Sequence, residues 1–152
     1  MLDQAFGRIA GGLVIDPGTS NTRIWIKGRG LSFEAPSVVA VDSSGGAARV
    51  VASGDEAKRM VGRTPDHIRA VQPIRDGVIA DYPLAEALLR DCLLQAAAGK
   101  NFVRPQMILP VSNRMTDVER RAVQDIARSL GSRGTTLLPK AVAAAFGAGL
   151  PV

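Results

Sequence analysis

From residue 13 onward, apolar and polar positions follow two rhythms, and the switch between them marks the elements. Leu13, Val14 and Ile15 make an apolar run that ends at Asp16. The polar segment Pro17-Gly18-Thr19-Ser20-Asn21-Thr22 follows, and the chain resumes with Ile24 and Ile26 on one face and Arg23, Trp25 and Lys27 on the other. Period-two alternation beyond a Gly-bearing turn predicts a β-hairpin. Gly28-Arg29-Gly30 reads as a turn, and residues 31–34 lead to Pro36. Residues 37–42 and 48–52 read as two short strands joined by a turn at 43–47, a second hairpin. Residues 54–61 predict a short helix with Asp55 and Glu56 in its first turn and Gly62 at its end. Residues 68–72 form one more extended segment.

Past an Asp76-Gly77 turn the period lengthens. Between 83 and 98, Leu84, Leu88 and Cys92 line up, with Ala87 and Leu94 nearby; Pro83 suits a first helical position and Gly99 a C-cap. Met107-Ile108-Leu109-Pro110-Val111 is apolar on both faces, the pattern of a central strand. Thr116-Asp117-Val118-Glu119 is a capping box, and the helix it opens carries Val118, Ala122, Val123, Ile126 and Leu130 as far as Gly131. Residues 135–138 read as another buried-type strand, and 140–148 as an Ala-rich helix suited to close packing on a sheet. Strand, helix, strand, helix at this spacing implies parallel strands and an α/β fold. Residues 33–73 read as a small α+β insertion in a larger domain built from 1–32 and 74–152.

Composition narrows the setting. The 152 residues suit one domain of ordinary size, or one with a small insertion. With 46% hydrophobic residues but only 4% aromatic, the core must be Ala, Val, Leu and Ile. No apolar run reaches the roughly 18 residues of a membrane span, and the start lacks a secretory pattern, so a cytoplasmic protein is expected. The single cysteine, Cys92, excludes an internal disulfide or a Cys-rich metal site, and its helical apolar setting predicts a buried thiol. His67, also alone, falls in a polar segment and is expected at the surface.

Charge changes the picture more. Residues 1–99 hold 11 basic and 11 acidic side chains, and residues 100–152 hold 8 and 3, so the whole net charge of +5 lies in the last third. Such a surface suits a phosphate, an anionic membrane or an acidic partner. Nucleic acid is not expected, because no aromatic residues interleave the cations. Leu2, Phe6 and Ile9 form an apolar stripe that Gly11-Gly12 ends; it reads either as a packed terminus or as a membrane-interface helix, the latter opposed by Asp3 near anionic lipid.

The first hairpin turn is the candidate site. Gly18 lets the backbone approach a ligand, Thr19 and Ser20 offer hydroxyls and amides, and Asp16 stands where it would orient a metal-bound water. The same residues also make an ordinary polar turn with a capping Asp. Taken alone, the turn leaves both readings open.

From about Ile15 to Val152 the sequence resembles the MreB family of bacterial actin-like proteins. The blocks that carry the likeness, in order, are Asp16-Pro17-Gly18-Thr19-Ser20-Asn21-Thr22, Pro36-Ser37-Val38-Val39-Ala40-Val41, Gly54-Asp55-Glu56-Ala57-Lys58, Gly62-Arg63-Thr64-Pro65, Pro73-Ile74-Arg75-Asp76-Gly77-Val78-Ile79-Ala80-Asp81, Asp117-Val118-Glu119-Arg120-Arg121-Ala122 and Ala143-Ala144-Ala145-Phe146-Gly147-Ala148-Gly149-Leu150-Pro151. The resemblance implies an actin-like (ribonuclease H-like) ATPase fold whose two halves close around Mg-ATP, of which this chain resembles the first half. It assigns Gly18, Thr19, Ser20 and Asn21 to the nucleotide's phosphates and Asp16 to the metal. The family's second phosphate loop and adenosine pocket belong to the other half.

Three departures from the family pattern bear on function. Pro17 removes one amide from the phosphate turn. Arg23 stands where the family usually has an apolar residue, and reads as solvent-facing or as an extra phosphate contact. Pro139-Lys140-Ala141-Val142 stands where the family has Glu-Glu-Pro-Met, whose Glu beside the Pro orients the attacking water. A lysine cation cannot accept the hydrogen bond that a carboxylate accepts from that water.

A working ATPase is therefore not expected, and ATP and Mg should bind weakly or not at all. The resemblance points to a non-hydrolysing accessory or scaffold of the cell-shape, rod-shape-determining system, meeting an MreB-like filament or other cell-shape proteins at the inner face of the membrane. The alternative is a fragment or split half of a nucleotide-binding, filament-forming ATPase. Lys100-Asn101-Phe102-Val103-Arg104 pairs apolar residues with cations and reads either as a membrane-dipping loop or as the start of a strand. An exposed cleft wall would favour self-association.

Overall fold

The computed structural model describes residues 12–46, 48–97 and 104–151. The apolar stripe at 1–9, the Gly99 cap and the Phe102-Val103 loop lie outside the described residues. Alternation in the first hairpin becomes β1 (Gly12–Pro17) and β2 (Asn21–Ile26), paired antiparallel with Asp16 opposite Arg23. Leu13, Ile15, Ile24 and Ile26 face inward as the pattern requires.

The chain then adds β3 (Gly30–Pro36) to β2, with a register shift between Ile24 and Trp25. The sequence pattern gave only a passage here. Leu31 is 58% exposed and no clean alternation marks the segment, so pairing with β2 makes it a strand.

A separate three-stranded sheet, in the order β5-β4-β6, comes from β4 (Val39–Asp42), β5 (Arg49–Ser53) and β6 (Ile68–Val71). Helix α1 (Gly54–Met60) packs on it through Ala57. The two-residue strands β7 (Ile74–Arg75) and β8 (Val78–Ile79) form a hairpin around Asp76 and Gly77. Both turn residues have positive φ, 51° and 77°, the left-handed pair that a two-residue hairpin loop demands.

Helix α2 (Tyr82–Ala97) follows, then β9 (Gln106–Val111), α3 (Asp117–Ser129), β10 (Gly134–Pro139) and α4 (Lys140–Gly147). β9 pairs parallel with both β1 and β10, completing a mixed sheet in the order β10-β9-β1-β2-β3. Ala85, Leu88, Leu89 and Cys92 of α2 and Val123, Ile126 and Ala127 of α3 close over one face of this sheet. Each fully buried Leu or Ile there contributes about 1.5–3 kcal/mol. The capping box at Thr116 forms as expected: Thr116 Oγ1 accepts from the Glu119 amide, and the Glu119 carboxylate accepts from the Thr116 amide.

Several burial expectations change. On β9 only Met107, Leu109 and Val111 are buried, under α2 and α3, while Ile108 and Pro110 on the other face stay half-covered. Leu94 and Val118 are 66% and 78% exposed, because each points off its helix away from the sheet. Helix α4 buries no residue, although it touches both the edge strand β10 and its neighbour β9.

Candidate functional site

The site begins with geometry at the turn between β1 and β2. A Cβ on Gly18 would lie 2.5 Å from the backbone oxygen of Asn21, so this tight turn admits only glycine. The Gly18 amide closes the turn on the Asp16 carbonyl at 3.1 Å. Two other segments brace it: the Ser37 amide donates to the Ser20 carbonyl at 2.9 Å, and the Gly77 amide donates to Thr19 Oγ1 at 3.1 Å. Below it, the Thr22 and Ser37 hydroxyls share a hydrogen bond of 2.9 Å, and both residues are fully buried.

These contacts sort the residues singled out by sequence. Among the described residues the amides of Thr19 and Ser20 and the Ser20 hydroxyl take no hydrogen-bond partner. With its oxygen accepting from Gly77, Thr19 keeps its own hydroxyl proton to donate. The Asn21 side chain turns away and donates to Glu34 at 2.9 Å. Arg23 also binds Glu34, at 2.8 Å, and is half-exposed, which matches the solvent-facing reading. The Arg23 and Asn21 hydrogen bonds hold the Glu34 carboxyl below its ordinary range.

Asp16 has a neighbour that the sequence does not advertise. Its Oδ1 is buried and accepts no hydrogen bond, yet lies 3.2 Å from Lys140 Nζ. The meeting follows from topology. β1, β9 and β10 run parallel, so Asp16, Val111 and Pro139 stand at the same end of the sheet, and Lys140 begins the helix after β10. The carboxyl ends of parallel strands are where α/β sheets place their ligands. Lys140 must reach across β9, and a long side chain spans that gap. Gly77 is the other residue missed: nothing local ties it to a turn 58 positions earlier.

The turn carries free amides and hydroxyl donors, an ammonium pairs with Asp16 at its start, and donors of these kinds fit a phosphate. The turn offers a divalent cation little. A divalent ion that arrives with a nucleotide draws most of its oxygens from phosphate and water and needs only one or two carboxylates from the protein, and Asp16, the carboxylate at this turn, already faces an ammonium.

Residues 10–152 match the MreB/Mbl protein family. Over 156 aligned residues the chain is 42% identical to the cell shape-determining protein MreB of Escherichia coli K12, covering all of this chain and 45% of that protein. It is 40% identical to the cell shape-determining protein Mbl of Bacillus subtilis 168, covering 91% of this chain and 41% of Mbl. The chain thus spans less than half the length of these relatives. Among solved structures, MreB5 of Spiroplasma citri bound to ADP superposes with a TM-score of 0.80 at 31% identity, over 91% of this chain and 41% of that one.

Proposed function

Since the chain belongs to the MreB/Mbl family and has its actin-like fold, we propose that it serves the bacterial cell-shape cytoskeleton as a non-hydrolysing accessory or scaffold. The observation that supports this is the Lys140–Asp16 ion pair at 3.2 Å. An ammonium has no lone pair with which to orient an attacking water. In this reading Gly18, Thr19 and Ser20 contact a nucleotide's phosphates, Asn21 and Asp16 border them, and residues 33–73 form the smaller subdomain beside 1–32 and 74–152. Solved relatives that hold ADP or AMPPNP support a nucleotide as the ligand class.

The proposed partner is an MreB-like filament, or a second copy of the chain, at the cytoplasmic face of the membrane. No helix among the described residues is long and apolar enough to cross a membrane. Co-sedimentation with filaments of a full-length relative, run beside a phosphate-release assay with Mg-ATP, tests the reading. Pelleting without phosphate release is the expected result. Release above the blank, or no pelleting, refutes it. A second reading, a fragment or split half of a nucleotide-binding, filament-forming ATPase, is favoured by the solved relatives that hold ADP or AMPPNP. A separately supplied second half that restores phosphate release would establish it.

A further inference from the structure

We propose that the Lys140 ammonium takes the place of a divalent cation at this turn, so that the site receives a nucleotide's terminal phosphate without metal. The proposal rests on the phosphate-turn reading above. Asp16 Oδ1 is a buried carboxylate oxygen that accepts no hydrogen bond, the kind of atom a bound cation would satisfy. The charge beside it is instead carried by the protein, 3.2 Å away.

The ammonium is not used up by this contact. It carries three donors, its side chain is 39% exposed and that of Asp16 is 33% exposed, so solvent reaches the pair, and Asp16 stands two residues before the turn whose Thr19 and Ser20 amides are unpartnered. A phosphate oxygen lodged there would meet amides from the turn and N–H groups from Lys140. A divalent ion entering with the phosphate would bring two further positive charges against a carboxylate that is already neutralised.

Calorimetric titration of the whole chain with ATP, once in EDTA and once in magnesium chloride, tests this directly. Wild type should bind equally well or more tightly in EDTA. Lys140→Ala should lose about 10–100-fold in EDTA, the worth of one charge-assisted hydrogen bond, and regain affinity with magnesium. Asp16→Asn should remain metal-independent. Wild-type binding that appears only with magnesium overturns the replacement of the cation while leaving the phosphate turn standing, as does a Lys140→Ala variant unchanged in EDTA. No binding by wild type or either variant in both buffers removes the phosphate turn itself, and this inference with it.

Discussion

Replacing Gly18 by alanine isolates what the turn costs to build. The glycine is not in the left-handed region, so backbone strain plays no part and the problem is space alone. The added Cβ would sit 2.5 Å from Asn21 O, well inside the 3.0 Å that real Cβ contacts respect. The obstructing atom is backbone, and Asn21 is paired with Pro36 in the sheet while its neighbours Thr19 and Ser20 are held by Gly77 and Ser37. No side can yield without breaking one of these bonds. Forcing a methyl into such a site costs about 1–3 kcal/mol, which at this size lowers the melting temperature by roughly 3 °C per kcal/mol.

Gly45 supplies the control, since its added Cβ meets nothing within 4 Å and its φ is not left-handed. Gly45→Ala should raise stability by about 0.4–1 kcal/mol through the unfolded chain. Urea unfolding followed by circular dichroism measures both variants against wild type. A Gly18→Ala protein as stable as wild type would refute the turn geometry on which the phosphate reading stands.

Two further outcomes follow from buried groups. Thr22→Val strips the fully buried Ser37 hydroxyl of its partner and should cost about 1–3 kcal/mol; adding Ser37→Ala should recover part of the loss, and strictly additive penalties in that double-mutant cycle would show the pair uncoupled. Burial pushes the Cys92 thiol up to about 12, so a disulfide reagent at pH 8 should label it only on unfolding, and fast labelling of the native protein would mean that α2 does not close over the sheet.

What the sequence made legible was local. Alternation at Ile24 and Ile26 gave the hairpin and its buried face, the Thr116-to-Glu119 spacing gave the cap of α3, and the motif blocks gave the family and fold class. β3 was lost because Leu31 and Glu34 carry no inward alternation and the strand depends on β2. The β7–β8 hairpin was lost except for its turn, because two-residue strands leave no periodicity to read. At the site, the Gly18 turn was legible, since glycine advertises close approach. The meeting of Lys140 with Asp16 was not, because only the parallel pairing of β1, β9 and β10 brings those positions to one end of the sheet. Asn21 carried a turn residue's identity, yet its side chain was claimed by Glu34 from the neighbouring strand.

The central place of β1 sets the order in which the molecule can be made. Its antiparallel partner β2 emerges from the ribosome at once, but its parallel partner β9 is synthesised about 90 residues later. At about 5–20 residues per second, that edge of the nascent sheet stays unpaired for roughly 5–20 s. The three-stranded sheet of residues 39–71 closes within itself during the wait, whereas β1 offers an open row of amides and carbonyls to any passing strand. Slow translation between β3 and β9 would lengthen that exposure, and a chaperone that shields the first hairpin would protect yield without changing the stability of the finished fold.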